Sequence, residues 1–206
     1  MEKYPEKYRT FVLRTNIYTL WMMVIVPRIA VVSCLSTTPF IYGIQHEGNL
    51  RAELLLSTPS ESLQRFIDRQ ADIALISARD YPTLKNARLV TEYCVGGVPS
   101  SLSALLESDD PLVEAWKSYG KLPCAFALWV AHPEVEPETV EALEYALTYG
   151  LERGYEAILE SPYAEDAGGA YERLAHFDYI FDNQKDKALK KFWDSGLKVA
   201  PRTNPG

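Results

Sequence analysis

From residue 28 onward, hydrophobic and polar positions form blocks that predict strands separated by helices. Short runs rich in aliphatic and β-branched residues are typical of strands buried on both faces. Five such runs are present: Arg28–Ser33, Arg51–Ser57, Ala71–Ile76, Ala87–Tyr93 and Cys124–Ala131. Strands that alternate with helices predict βαβ units and a mainly parallel sheet. The predicted fold class is therefore α/β.

Helices are predicted where apolar residues recur at helical spacing or where a start signal is present. Thr58–Glu61 has the sequence of a capping box with Pro59 at the first helical position, and Leu63, Phe66 and Ile67 follow on one face. The remaining predicted helices are Pro39–Ile44, Leu112–Tyr119, Pro137–Leu159, Ala170–Phe177 and Asn183–Asp194.

Residues 1–27 precede this pattern and are predicted to be a flexible N-terminal extension. The apolar run Leu20–Val26 is far shorter than the roughly 20 residues that span a bilayer. The segment Val31–Cys34 resembles a lipoprotein cleavage box, so an exported solute-binding lipoprotein with a lipid on Cys34 is an alternative. Pro27 and Arg28 count against it, because they interrupt the apolar core that a signal peptide needs.

Composition and charge narrow the class of partner. Apolar residues make up 47% and charged residues 24% of the chain, as in ordinary globular proteins, and the net charge is −7. An acidic chain without clustered lysine and arginine is not expected to bind nucleic acid or a membrane surface. A small anion is still compatible, because a few fixed N–H groups can hold one in an acidic protein.

Redox, metal and cofactor chemistry find little support in the sequence. The cysteines Cys34, Cys94 and Cys124 are odd in number and form no CxxC pair, so we expect reduced thiols in a cytoplasmic protein. The dinucleotide, phosphate-loop, HExxH and GxSxG motifs are absent, and the histidines are scattered. We therefore expect no metal and no cofactor.

The loop Ser33–Pro39 is the best candidate site. It follows the first strand and leads into a helix, at the carboxyl end of a parallel strand, where open α/β sheets bind ligands. Its four hydroxyl residues are Ser33, Ser36, Thr37 and Thr38. These hydroxyls and the helix N-terminus suit a carboxylate. On the pattern alone, capping of the helix is the commoner role of such residues.

Several separated segments resemble, in order, the chorismate dehydratases of the futalosine menaquinone pathway (the MqnA/MqnD family). Arg28–Gly43 is similar to their signature S-Y-L-N-x-x-P-x-x-Y-G. The other similar segments are Ala71–Tyr81, Ala87–Gly97, Ala115–Ala131, Phe177–Asp182 and Gly196-Leu197, the last two matching the family's closing helices. Ordered matches over most of residues 28–200 are a stronger indication than one motif.

The resemblance implies a fold of the periplasmic-binding-protein type (type II), with the ligand between two lobes. It also implies dehydration of chorismate to 3-[(1-carboxyvinyl)oxy]benzoate without a metal or organic cofactor. Ser36 occupies the position of the family's active-site Asn and is the candidate catalytic residue. Ser33, Thr37, Thr38 and Ser77, which follows the third strand, are the candidate substrate-binding residues.

This sequence differs from the family's pattern in two places, and both differences bear on whether a bound ligand is also converted. Cys34 and Ser36 replace its Tyr and Asn, and serine has a shorter reach and no amide. Only residues 98–114 occupy the place of most of the second lobe. We therefore predict one discontinuous α/β lobe of residues 28–97 and 115–206, with 98–114 as a shortened linker and the second lobe reduced or absent. A non-catalytic binding protein for small anions remains an alternative, and the sequence leaves open whether a homodimer covers the exposed face.

Overall fold

A six-stranded sheet forms the centre of the structure, a computed structural model that describes residues 26–97, 116 and 122–194. The strands lie in the order β2-β1-β3-β5-β4-β6. Their bounds are β1 Arg28–Val32, β2 Glu53–Ser57, β3 Ile73–Ser77, β4 Arg88–Gly97, β5 Cys124–Ala131 and β6 Asp178–Ile180. The sheet thus combines strands from both sides of residues 98–121.

The strand directions place four carboxyl ends at one edge of the sheet. β1 pairs in parallel with β2 and β3, whereas β5 is antiparallel to both β3 and β4, and β6 is antiparallel to β4. β1 to β4 therefore run in one direction, in agreement with the predicted mainly parallel α/β sheet. The insertion of β5 in the opposite direction between β3 and β4 was not predicted, because a strand's direction cannot be read from its own apolar pattern.

Helices cover both faces of the sheet. Those of the described residues are α1 Thr38–His46, α2 Pro59–Ile67, α3 Pro137–Leu151, α4 Gly154–Leu159, α5 Ala167–Leu174 and α6 Asn183–Asp194. Alternate residues of β1 point to opposite faces, as the two-residue period of a strand requires. Ile29 and Val31 pack in a core with α1 and α3, whereas Ala30 packs with Phe66 of α2.

Two glycines allow α1 and α3 to touch through their backbones. A Cβ atom on Gly43 would lie 1.9 Å from the carbonyl oxygen of Ala146, and one on Gly150 would lie 1.8 Å from that of Pro39. Real Cβ atoms do not approach other atoms so closely, so any side chain at either position would force the helices apart. The position of α1 over the sheet therefore depends on both glycines.

The start of α2 is confirmed, but one of its core residues was predicted wrongly. Thr58 Oγ1 accepts a hydrogen bond from the Glu61 N–H at 3.3 Å, and Glu61 accepts one from the Thr58 N–H at 2.7 Å. Ile67, predicted to face the core with Leu63 and Phe66, is 52% exposed. Ser62 is buried instead, because its hydroxyl donates to the Leu75 carbonyl at 2.8 Å.

The C-terminal half differs from the prediction in two places. The long helix predicted over Pro137–Leu159 is two helices, because Arg153 leaves helical geometry with φ −120° and ψ 37° and α4 then starts a new direction. Phe177–Asp182, matched to closing helices, instead contains β6, which pairs with β4. Alternation within three residues is too short a signal to identify a strand.

The described residues confirm the core but not the domain limits. Trp116, Phe126 and Trp129 are buried, as expected for core residues rather than ligand walls. Residues 1–25, 98–115, 117–121 and 195–206 lie outside the described residues. Most of the predicted extension, the linker, most of the Leu112–Tyr119 helix and the Gly196-Leu197 match fall on them. The division into residues 1–27, 28–97 with 115–206, and 98–114 stays a prediction.

We expect Gly43→Ala to lower the free energy of unfolding by about 1–3 kcal/mol, because the methyl group cannot fit against the backbone of α3. Gly168→Ala on α5 is the matched control. Its methyl group would meet no heavy atom within 4 Å, so it should gain up to about 1 kcal/mol from helix propensity. Urea unfolding followed by circular dichroism measures both. Equal effects of the two substitutions would contradict the proposed contact.

Candidate functional site

The predicted loop lies at the edge of the sheet where the first four strands end. Ser33 follows β1, and its N–H donates to the Ser57 carbonyl at the end of β2, at 3.0 Å. Leu35–Thr37 forms one 3-10 turn, and α1 begins at Thr38 with Pro39 in its first turn. The loop therefore holds the N-terminus of α1 at the carboxyl edge, as the sequence predicted.

Two of the loop's hydroxyl groups form hydrogen bonds with backbone groups in or next to the loop. Thr37 Oγ1 lies 2.5 Å from the Val32 carbonyl oxygen and 2.9 Å from that of Cys34, and it accepts a hydrogen bond from the Cys34 N–H at 3.2 Å. The Thr38 hydroxyl donates to the Cys34 carbonyl at 3.2 Å. These contacts satisfy backbone groups that the tight turn would otherwise leave unpaired.

Ser36 is buried beneath the loop surface. Its side chain is 6% exposed, and its Oγ lies 3.1 Å from the Sγ of Cys34. Its carbonyl accepts a hydrogen bond from the Tyr179 hydroxyl at 2.8 Å. Burial raises the pKa of Tyr179, so the phenol keeps its proton and remains a donor. β6 thereby fixes the middle of a loop that is distant in sequence.

A pocket of about 180 Å³ opens beside this loop. Thr38, Ile41, Tyr42 and Gln45 form one wall, and their spacing of three and four residues places them on a single face of α1. The other lining residues come from the loop, from the end of β2 and from the end of α4 onward: Ser33, Cys34, Leu56, Ala157, Glu160, Ser161, Pro162 and Tyr163. The pocket thus combines three separate parts of the chain.

A histidine–carboxylate contact and a pair of stacked rings lie at the C-terminal end of α1. His46 Nε2 lies 2.9 Å from Glu160 Oε2. The Tyr42 ring stacks on the His46 ring at 4.3 Å between centroids with an interplanar angle of 29°. Desolvation and the nearby Glu160 carboxylate raise the pKa of Tyr42. Tyr42 therefore presents a neutral phenol to the pocket.

The structure brings together some of the predicted site residues and separates others. Ser33 and Thr38 line the pocket, whereas Ser36 and Thr37 lie buried under the loop and do not. Ser77 lies at the end of β3, paired with Ala127 of β5, and does not line this pocket. The predicted loop is thus placed at a pocket, but the five predicted side chains do not converge on it.

Several lining residues were missed by the sequence reasoning. The α1 face could have been found, because Thr38, Ile41, Tyr42 and Gln45 recur at helical spacing directly after the candidate loop. Leu56 and the segment 160–163 carry no such signal, because only the packing of β2 and α4 beside α1 brings them there.

Three further observations concern the alternative functions. Cleavage before Cys34 would remove β1, whose Ile29, Ala30 and Val31 are fully buried in the sheet, so the lipoprotein interpretation conflicts with this fold. Within the described ranges, no group of three or more His, Cys, Asp or Glu side chains has the arrangement of a metal site. In the same part of the chain, no helix has the length and apolarity to cross a membrane.

Comparison with known proteins identifies the fold. No protein-family model and no curated protein matches the chain. Protein AF1704 from Archaeoglobus fulgidus is similar in structure with a TM-score of 0.66 and 16% identity, over 85% of this chain and 99% of that one. The Candida albicans CA3427 gene product, described as having the generic periplasmic binding protein fold, gives a TM-score of 0.57 and 10% identity over 87% and 92%. The chain therefore has a periplasmic-binding-protein-like fold.

We expect Tyr179→Phe to cost about 1–3 kcal/mol of stability, because it removes the phenol donor from the buried Ser36 carbonyl. Tyr145→Phe is the matched control, since its hydroxyl is exposed and only 3.5 Å from Glu141, and it should cost less than about 0.5 kcal/mol. Denaturant unfolding compares the two. Indistinguishable midpoints would show that the Tyr179 hydrogen bond does not hold the loop.

Proposed function

We propose that this protein binds chorismate as a small-molecule ligand and dehydrates it to 3-[(1-carboxyvinyl)oxy]benzoate. The observation that carries the binding proposal is the opening of the Ser33–Thr38 loop, with the N-terminus of α1, into the pocket. The N-terminal end of a helix carries partial positive charge, which favours a carboxylate. The N–H groups of Thr37 and Thr38 already donate to the carbonyls of Cys34 and Leu35, so this charge and the Ser33 hydroxyl are what the site offers. In this arrangement the Ser33 hydroxyl donates to the ring carboxylate, and Thr38, whose hydroxyl already donates to the Cys34 carbonyl, contributes to the pocket wall.

The reaction itself is supported by the ordered resemblance of Arg28–Gly43 and the later segments to chorismate dehydratases. Dehydration removes the ring hydroxyl and the proton of a neighbouring ring carbon, and aromatisation drives it. The protein's task is to hold the carboxylates and to assist proton transfer. The proposed setting is menaquinone biosynthesis in the cytoplasm, without a metal or organic cofactor.

The size of the pocket bears on how the ligand is enclosed. About 180 Å³ is below the roughly 300–1,000 Å³ of pockets that surround most of a drug-sized ligand. One lobe therefore covers part of chorismate and leaves another face open. Enclosure by a second copy of the chain would exclude water, which favours charge stabilisation in a reaction. A homodimer is accordingly part of this proposal.

Binding without turnover is the second candidate function, and the position of Ser36 favours it. The family places an Asn side chain at this position, whereas the Ser36 hydroxyl contacts Cys34 and is 6% exposed. A misplacement of about 1 Å can cost about a hundredfold in rate. On this alternative the pocket and loop bind the carboxylate, but no group is positioned for the elimination.

A product assay separates the two candidates. Incubation with chorismate, followed by chromatography, should give 3-[(1-carboxyvinyl)oxy]benzoate above the uncatalysed background. Ser36→Asn should raise the rate, because it restores the longer amide side chain. If neither protein forms product, dehydration is ruled out and binding without turnover is left.

A binding measurement tests the loop independently of turnover. Calorimetry with chorismate and with benzoate should show Ser33→Ala weakening both by about tenfold, the size expected for one hydrogen bond to a charged group. Ser60→Ala on the exposed part of α2 is the matched control and should change neither. Unchanged affinities in Ser33→Ala would remove the loop from the binding site.

A further inference from the structure

The two ends of the pocket differ in chemistry. Ser33, Cys34 and Thr38 stand at the N-terminal end of α1. Gln45 lies seven residues along the helix from Thr38, which at 1.5 Å per residue corresponds to about 10 Å. Beside it is Glu160, because its carboxylate contacts the adjacent His46. The Ser33 hydroxyl and the partial positive charge of the helix N-terminus therefore mark one end, and a carboxylate marks the other.

The space between the ends suits a ring. Ile41 and Tyr42 form the helix wall, and Leu56 and Tyr163 are among the residues lining the remainder. Aromatic and aliphatic walls bind a flat apolar body, whereas the few polar groups set its orientation. A six-membered ring with polar groups at opposite positions would span the distance once the hydrogen bonds at both ends are included.

The charge of the pocket residues determines which polar group of a ligand can bind at the end of the pocket where Glu160 lies. None of the twelve lining residues is lysine, arginine or histidine. Glu160 Oε2 lies 2.9 Å from His46 Nε2, and the Glu160 side chain is 56% exposed, so Oε1 is accessible to a ligand donor. A second carboxylate at this end would face a like charge and would be disfavoured, whereas a hydroxyl or ammonium group would donate to Oε1.

From this juxtaposition we infer that the site selects a ring carboxylate carrying a hydrogen-bond donor para to the carboxylate, with Glu160 as the specificity-determining acceptor. The inference rests on the proposed binding of a carboxylate at the loop. It names the substrate class of that same site. Chorismate belongs to the class, since its ring hydroxyl is para to its ring carboxylate. Glu160 then holds the hydroxyl that dehydration removes.

The test compares four benzoates that differ only at the para position: benzoate, 4-hydroxybenzoate, 4-(aminomethyl)benzoate and terephthalate. Calorimetry in one buffer at one pH measures all four affinities, so that only the para group differs between the measurements. On the unaltered protein, 4-(aminomethyl)benzoate should bind about tenfold more tightly than benzoate, 4-hydroxybenzoate should lie between them, and terephthalate should bind most weakly.

Glu160→Gln should abolish this order. Its amide no longer attracts an ammonium group or repels a carboxylate, so the preference for 4-(aminomethyl)benzoate over terephthalate should fall at least tenfold while benzoate affinity stays the same. Glu156→Gln is the matched control, because Glu156 is an exposed carboxylate on α4 that does not line the pocket. A purely structural role of Glu160 would change all four affinities together.

The outcomes separate this inference from the proposed function. If benzoate binds in a Ser33-dependent way but the para group has no effect, or Glu160→Gln leaves the order unchanged, the inference is overturned and carboxylate binding stands. If no benzoate and no chorismate binds, both are overturned. A para preference that disappears in Glu160→Gln and persists in Glu156→Gln supports the inference.

Discussion

The backbone contact between α1 and α3 determines where the rest of the site can be. Gly43 and Gly150 bring the two helices closer than any side chain would permit, and each lies against a carbonyl oxygen of the opposite helix. One face of α1 therefore packs against α3, and the face bearing Tyr42 and Gln45 forms the wall of the pocket. Interiors are close-packed and do not deform continuously, so the position of that wall is fixed by the fold rather than by a ligand.

The loop before α1 shows how a tight turn divides its hydroxyl groups between structure and binding. The Thr37 hydroxyl lies within hydrogen-bond distance of the Val32 and Cys34 carbonyls, to one of which it donates, and the Thr38 hydroxyl donates to the Cys34 carbonyl. Ser33 is instead exposed beside the pocket. A hydroxyl has a single proton to donate, so a group that satisfies the backbone has none left for a ligand. Neighbouring residues of the same chemical type therefore take different roles, decided by which way each side chain points.

Local signals in the sequence were sufficient for much of the fold. The capping box Thr58–Glu61 was predictable because both of its hydrogen bonds lie within four residues, and the buried strands were predictable from their continuous apolar runs. Asp178–Ile180 was not, because it is a strand only by virtue of its partner β4. Among the pocket residues, those on α1 recur at helical spacing and could be predicted from the sequence. Glu160 and Leu56 could not be predicted, because only tertiary packing brings them to the pocket.

The hydrogen bond from Tyr179 to the Ser36 carbonyl joins residues 143 positions apart. Domains begin to fold from the N-terminus while they are being synthesised, at about 5–20 residues per second. β1, the loop and α1 therefore leave the ribosome well before Tyr179, the residue that fixes the loop. The loop consequently acquires this hydrogen bond only after β6 has been synthesised, and a nascent chain that stops before β6 lacks it.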